Sequence, residues 1–165
     1  MGWDELFSGP FWIRLGVALA CGAAIGLERQ LRGKPAGMRT SMLVCLGTLM
    51  FVRLGVSFSG DHVDPSRVLG QVVTGIGFLG AGVILTRGGQ VLGITSAAVM
   101  WVLAAIAAAI ALDHLGAAIA TTLTTVIILV GLNALERGFT SMRRGVHSDE
   151  HHASPEERYS GRWGP

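Results

Sequence analysis

Between Pro65 and Leu112 the chain carries no aspartate and no glutamate. Charged residues of both signs make up only 15% of its 165 positions, where a soluble domain carries about a quarter. That shortage excludes a conventional water-facing surface. Cysteine is nearly absent as well: Cys21 and Cys45 stand alone in apolar runs, with no C-x-x-C and no histidine at zinc-ligand spacing. A disulfide framework and a zinc finger are excluded, and both thiols read as small buried hydrophobes. The sequence also lacks a Walker loop, a nucleophile–base pair and a convincing metal triad, so it offers no enzyme. It shows no internal repeat of the kind that marks an inverted-repeat transporter.

What is present is apolar and long. Five runs stand out, at about 11–27, 38–56, 68–85, 94–112 and 115–135. Runs of roughly 18 residues or more cross about 30 Å of hydrocarbon as helix. The expected fold is therefore all-α, a polytopic membrane bundle of five transmembrane helices over residues 1–137. A polar tail, 138–165, is expected to stay disordered, and its His147, His151 and His152 read as solvated. The first run is a span and not a signal peptide, because Asp4 and Glu5 precede it and GLERQ follows it. The last two runs are separated by little more than Asp113 and His114, which predicts a tight antiparallel hairpin.

Lysine and arginine sort by side. Arg29, Arg32, Lys34 and Arg39 fall in the first loop, Arg87 in the third, and Arg137, Arg143 and Arg144 after the last run. The other side holds Asp4, Glu5, Asp61, Asp64, Arg67 and Asp113. By the positive-inside rule the N-terminus lies outside and the C-terminus in the cytoplasm. The bilayer is the first partner this sequence implies, and a net charge of +2 gives no sign of nucleic acid.

Inside the third run, Gly75, Gly77 and Gly80 form G-x-G-x-x-G, the spacing of a dinucleotide cradle. A Rossmann loop requires a preceding strand and an acidic residue about 20 positions on. Here position 100 is Met100, and no carboxylate appears before Asp113, so no nucleotide is expected. At helical spacing, Gly70, Thr74, Gly77 and Ala81 form a stripe of small residues, with Gly75 and Gly82 beside it. The alanine-rich fourth run is similar. Such faces let backbones approach closely in lipid. They also leave carbonyls bare for an ion, and the sequence keeps both readings open.

Polar groups in the spans are few. Arg14 and Arg53 sit near the outer ends and can snorkel. Gln71, a turn into the third run, must face protein or water. Thr121, Thr122, Thr124 and Thr125 can satisfy themselves on their own helix. In DHVDPSR, Asp64 reads as an N-cap with Pro65 at the first helical position and Arg67 three residues on. Asp61, Asp64 and Asp113 are also the outer carboxylates that a hydrated divalent cation meets first. Glu28 is the sole carboxylate among the first-loop bases, and a pair with Arg32 or Arg39 would lower its burial cost.

GLERQLRGKPAGMRTSMLVCLGTLMF, followed by DPSRVLGQVVTGIGFLGAGVIL and GITSAAVMWVLAAIAAAIAL, resembles the MgtC/SapB family of bacterial membrane proteins. The resemblance covers roughly residues 12–135. It implies a five-span protein of the cytoplasmic (inner) membrane linked to magnesium homeostasis, low-magnesium survival or acid stress. It places functional weight on Glu28, Arg29, Gly37, Arg39, Thr40, Asp64, Arg67, Gln71, Gly75, Gly77, Gly80 and Gly82. Asp64 and Glu28 are the candidate metal contacts, with Mg2+ as ligand or substrate and no other cofactor. Two readings follow: a protein that binds or moves the cation, or a regulatory subunit that packs against a partner such as the ATP synthase. The small-residue faces suit a homodimer. Some relatives carry a C-terminal domain resembling an ACT module, and the polar tail here is too short to fold one.

Overall fold

A computed structural model describes residues 9–57, 65–87 and 90–146. Five helices run α1 Gly9–Leu31, α2 Met38–Ser57, α3 Pro65–Val83, α4 Ile94–Ala111 and α5 Leu115–Val146. Each contains a stretch long and apolar enough to cross a membrane, in α5 the part Leu115–Leu132. The all-α bundle expected from the apolar runs is thus observed. The chain divides into two units, residues 1–129, which hold the bundle, and 130–165, in which α5 continues to Val146.

One element is additional. Between α3 and α4, strands β1 Leu85–Arg87 and β2 Gln90–Leu92 pair antiparallel, with Leu85 opposite Leu92 and Arg87 opposite Gln90. Gly88-Gly89 between two short runs is a two-residue hairpin signal, and it shortens the third run, which the hydropathy alone carried to residue 85.

Two helix ends are closed by the same device. α1 stops where Gly33 adopts a left-handed φ of 61°, with Gly33 N–H donating to Gln30 O and Lys34 N–H to Arg29 O. α4 stops where Asp113 takes φ 65°, with Asp113 N–H donating to Ile110 O and His114 N–H to Ala109 O. Both are Schellman turns, which satisfy carbonyls that a helix end leaves bare. Glycine takes this conformation without strain; Asp113 is one of the few side chains that tolerates it. The second turn makes the tight α4–α5 connection that the spacing predicted.

α4 is the hub, packing against α1, α2 and α3. Its small alanine face lets Leu103, Ile106, Ala107 and Ile110 meet Ile25 of α1 and Leu49 and Val52 of α2 in one core. The helix glycines that come nearest a neighbouring helix's backbone lie between α1 and α2. A Cβ placed on Gly26 would stand 2.6 Å from Met38 Cα, and one on Gly22 would stand 3.0 Å from Met42 Cα. Gly22 and Gly26 are a G-x-x-x-G pair, whose missing side chains allow two backbones to touch.

At the end of the bundle holding the α4–α5 turn, Arg14 Nε donates to Asp113 Oδ1 at 2.6 Å. The snorkelling arginine of the sequence reading thus has a protein partner. This hydrogen bond is the main reason the Asp113 carboxyl titrates below its ordinary value of 3.8, with the charges of Arg14, Arg53 and His114 acting in the same sense. Because the folded value is depressed, the pair's contribution is present above about pH 4 and is lost as pH falls through the folded value. Thermal unfolding of purified protein from pH 6 to pH 2 should show a small acid-side loss, which Asp113→Asn abolishes.

Candidate functional site

The opposite end of the bundle gathers the C-terminus of α1, the N-termini of α2 and α4, and the first loop. Here α1 delivers two adjacent charges into the protein. Glu28 is 8% exposed and Arg29 is 3% exposed. They are held inside because Gly26, half a turn earlier, lets α1 press onto α2, and because Ser96 of α4 meets Arg29.

Arg32 Nε stands 2.5 Å from Glu28 Oε1, and Arg29 Nη1 lies 4.0 Å from Glu28 Oε2. Arg29 Nη2 donates to Ser96 Oγ at 2.8 Å, joining α1 to the first turn of α4. Neither contact to Glu28 is aligned as a hydrogen bond. Both its oxygens and Arg29 Nε therefore lack a hydrogen-bond partner. The cluster is one carboxylate between two guanidiniums, net +1 at neutral pH, and it is largely shut from water. Coulomb attraction at such distances ties the three side chains together, while isolation from water makes the loss of any one member costly.

Around the cluster the loop is fixed by small contacts. Met38 N–H donates to Gln30 Oε1 at 3.3 Å, so a side chain of α1 caps the start of α2. Gly37 faces the same glutamine, its missing Cβ 3.4 Å from Gln30 Cβ. Buried Ser41 donates from Oγ to Ala36 O at 3.4 Å, and Ala36 is itself left-handed at φ 60°. PAGMRT joins loop to helix so abruptly because these bonds replace a longer connection.

The remaining positions singled out in the sequence are dispersed. Arg39 and Thr40 are exposed at the start of α2, and the pair that Glu28 makes is with Arg32. Arg67 and Gln71 are exposed on α3, near the other end of the bundle. Gln71 was expected to face protein or water; within one chain its side chain faces outward. Gly75, Gly77 and Gly82 have nothing within 4 Å of the Cβ each lacks, whereas Gly80 meets Ala97 Cβ at 3.5 Å. The α3–α4 contact thus uses Gly80 and Ile76, and the stripe itself is bare. Thr74, Thr122 and Thr125 donate to carbonyls four residues back, as self-satisfied threonines do. Asp64 and Asp61 lie outside the described residues. Among the described residues no three histidine, cysteine or carboxylate side chains group to hold a metal.

Sequence reasoning missed Ser96, Ser41 and the Gly22/Gly26 pair. G-x-x-x-G in an apolar run was a legible signal for the last; the serines carried none before their helices were placed.

The sequence profile of the MgtC family matches residues 15–138, most of the chain and the whole of this cluster. The chain belongs to the MgtC family. It is 43% identical over 148 residues to YhiD of Escherichia coli (strain K12), described as a candidate magnesium transporter, covering 85% of this chain and 67% of that protein. It is 41% identical over 134 residues to MgtC of Salmonella typhimurium (strain LT2), covering 81% of this chain and 55% of the relative. Against MgtC of Brucella abortus (strain 2308) it is 41% identical over 138 residues, or 78% and 55% of the two chains. It spans about half the length of the MgtC relatives. No solved structure matches. Family membership and five apolar helices make this a multi-pass protein of the inner membrane, and the MgtC family is not one of enzymes.

Proposed function

We propose that this MgtC-family protein serves magnesium homeostasis as a regulatory membrane subunit, acting on a membrane-embedded partner through its helix faces without itself carrying the cation. The observation that carries this reading is the state of Glu28. Its carboxylate already lies 2.5 Å from the Arg32 guanidinium and 4.0 Å from that of Arg29. A divalent cation there would meet a net positive cluster. Magnesium needs oxygen ligands in octahedral array, and the other side chains in the cluster are donors. A buried ion pair with a hydrogen bond to a second helix, α4, suits a joint that fixes helix register.

The cluster sits at the cytoplasmic end in this proposal, on the distribution of Arg29, Arg32, Lys34, Arg39 and Arg87. Residues 1–137 form the membrane domain and 138–165 a polar tail. The protein works as a homodimer, since two of its faces are built of small residues. The conditions are those of low magnesium or acid stress, and a proton-translocating ATP synthase is one partner of the required kind.

A transport reading is favoured by the description of YhiD as a candidate magnesium transporter. It would place Asp64 at the outer mouth, with Gln71 and the carbonyls around Gly75, Gly77, Gly80 and Gly82 along α3. Growth separates the two. A strain stripped of its magnesium uptake systems and given this chain alone should fail at limiting magnesium. Restored growth that depends on Asp64 and Gln71 would establish transport.

A further inference from the structure

α3 breaks the rule by which membrane helices are distributed. A helix left facing lipid should be the most apolar, yet α3 is both the least buried and the least apolar span. Its mean hydropathy is 1.2 with 11% of its span buried, whereas α4 has 2.2 with 50%. α5 provides the internal control. It is also poorly buried, at 17%, but its hydropathy is 2.2, and it turns Ile119, Leu123, Ile127 and Ile128 outward. α5 is dressed for lipid. α3 also exposes Val73, Phe78 and Leu79, but alongside them Gly70, Gln71, Thr74, Gly75, Gly77 and Ala81. The Gln71 side chain makes no hydrogen bond among the described residues, and a bare amide in hydrocarbon is costly.

The shape of this face says what covers it. Residues on a helix advance by about 100° each, so Gly70, Thr74, Gly77 and Ala81 form a central flat strip. On one edge stands Phe78, 81% exposed. On the other edge, at the same height, lies a trough of about 330 Å³ between α3 and α4, lined by Gly77, Gly80, Ala81, Ala97, Ala98 and Trp101. A two-fold axis along the bilayer normal, running beside the strip, carries the Phe78 edge of one copy to the trough edge of the other. A knob and a hole on opposite edges at equal height are what a self-complementary interface requires.

We infer that the bare face of α3 is the seam of a symmetric homodimer, with the strips in backbone contact and each Phe78 seated in the partner's α3–α4 trough. This rests on the homodimer proposed above and adds where the copies meet. A Cβ at position 77 would have nothing within 4 Å of it in the single chain, so a side chain can be started there without a clash.

The test uses two differently tagged copies of the full chain in native membranes. Phe78→Cys in one and Ala98→Cys in the other should form a disulfide between tags on mild oxidation, while Ile127→Cys on α5 paired with either should not. Gly77→Leu should leave the thermal stability of the single chain unchanged and lower the dimer fraction about tenfold or more. A dimer that persists in Gly77→Leu and yields no 78–98 crosslink overturns the seam while leaving the homodimer intact. A protein that is monomeric by subunit counting in bilayers overturns both. Crosslinking from position 78 to a different protein alone overturns the choice of a second copy.

Discussion

Glu28→Ala is expected to destabilise the protein by about 3–5 kcal/mol, more than any other single charge removal in the chain. The reason is what the substitution leaves behind. Arg29 is 3% exposed and would remain inside with Ser96 as its one hydrogen-bonded side-chain partner among the described residues. Arg32, with 23% of its side chain exposed, can turn to water; Arg29 cannot. Removing both buried charges should be far milder. The double variant Glu28→Met, Arg29→Met is predicted to recover most of the loss, because two apolar side chains need no solvation at the bundle end. Denaturation in detergent micelles, followed by helicity, checks the pair. If the double variant were as damaged as Glu28→Ala, the two residues would not be acting as a charge pair.

Gly26→Leu is the second large effect. Even the first carbon would fall 2.6 Å from Met38 Cα and 2.9 Å from Ser41 Cβ. Met38 Cα is backbone and cannot rotate away, so α1 and α2 must separate. Overpacking usually costs about 1–3 kcal/mol, and a backbone clash on this scale belongs at or above the top of that range. Parting these helices also displaces Glu28 and Arg29, so the damage should reach the ionic cluster. Gly26→Leu should therefore lower the unfolding midpoint of the single chain sharply, with Gly26→Ala intermediate, while Gly77→Leu leaves the single chain's midpoint unchanged. Equal effects at 26 and 77 would contradict this assignment of the close-packed seam.

Much of the architecture was legible because lipid simplifies the problem. With backbone groups unable to bond to solvent, a long apolar run has little alternative to helix, and the five runs became α1 to α5. The Asp113–His114 gap was legible for a similar reason, since so short a break admits little except a tight turn. Packing was harder. Glycines at 70, 75, 77 and 82 read as a close-packing face from their helical spacing, but the helix glycines that come nearest a neighbouring helix's backbone are Gly22 and Gly26. Glycine content shows that a helix can approach another closely; it does not say whether the neighbour belongs to the same chain. The site was half visible. Glu28 with Arg32 follows from i,i+4 spacing on one helix, whereas the bond from Arg29 to Ser96 joins residues 67 positions apart and needs the fold. Arg14 and Asp113, 99 apart, were hidden in the same way.

The claim that matters most is that this protein acts in magnesium homeostasis without conducting magnesium. Sealed liposomes containing purified protein and a trapped magnesium-sensitive dye test it directly. With an inward gradient and the membrane potential clamped, the signal should rise no faster than in empty vesicles, for the native chain and for Glu28→Gln alike. A protein-dependent rise that saturates with external magnesium, and that Asp64→Asn or Gln71→Leu removes, would contradict the regulatory account and make this chain a transporter.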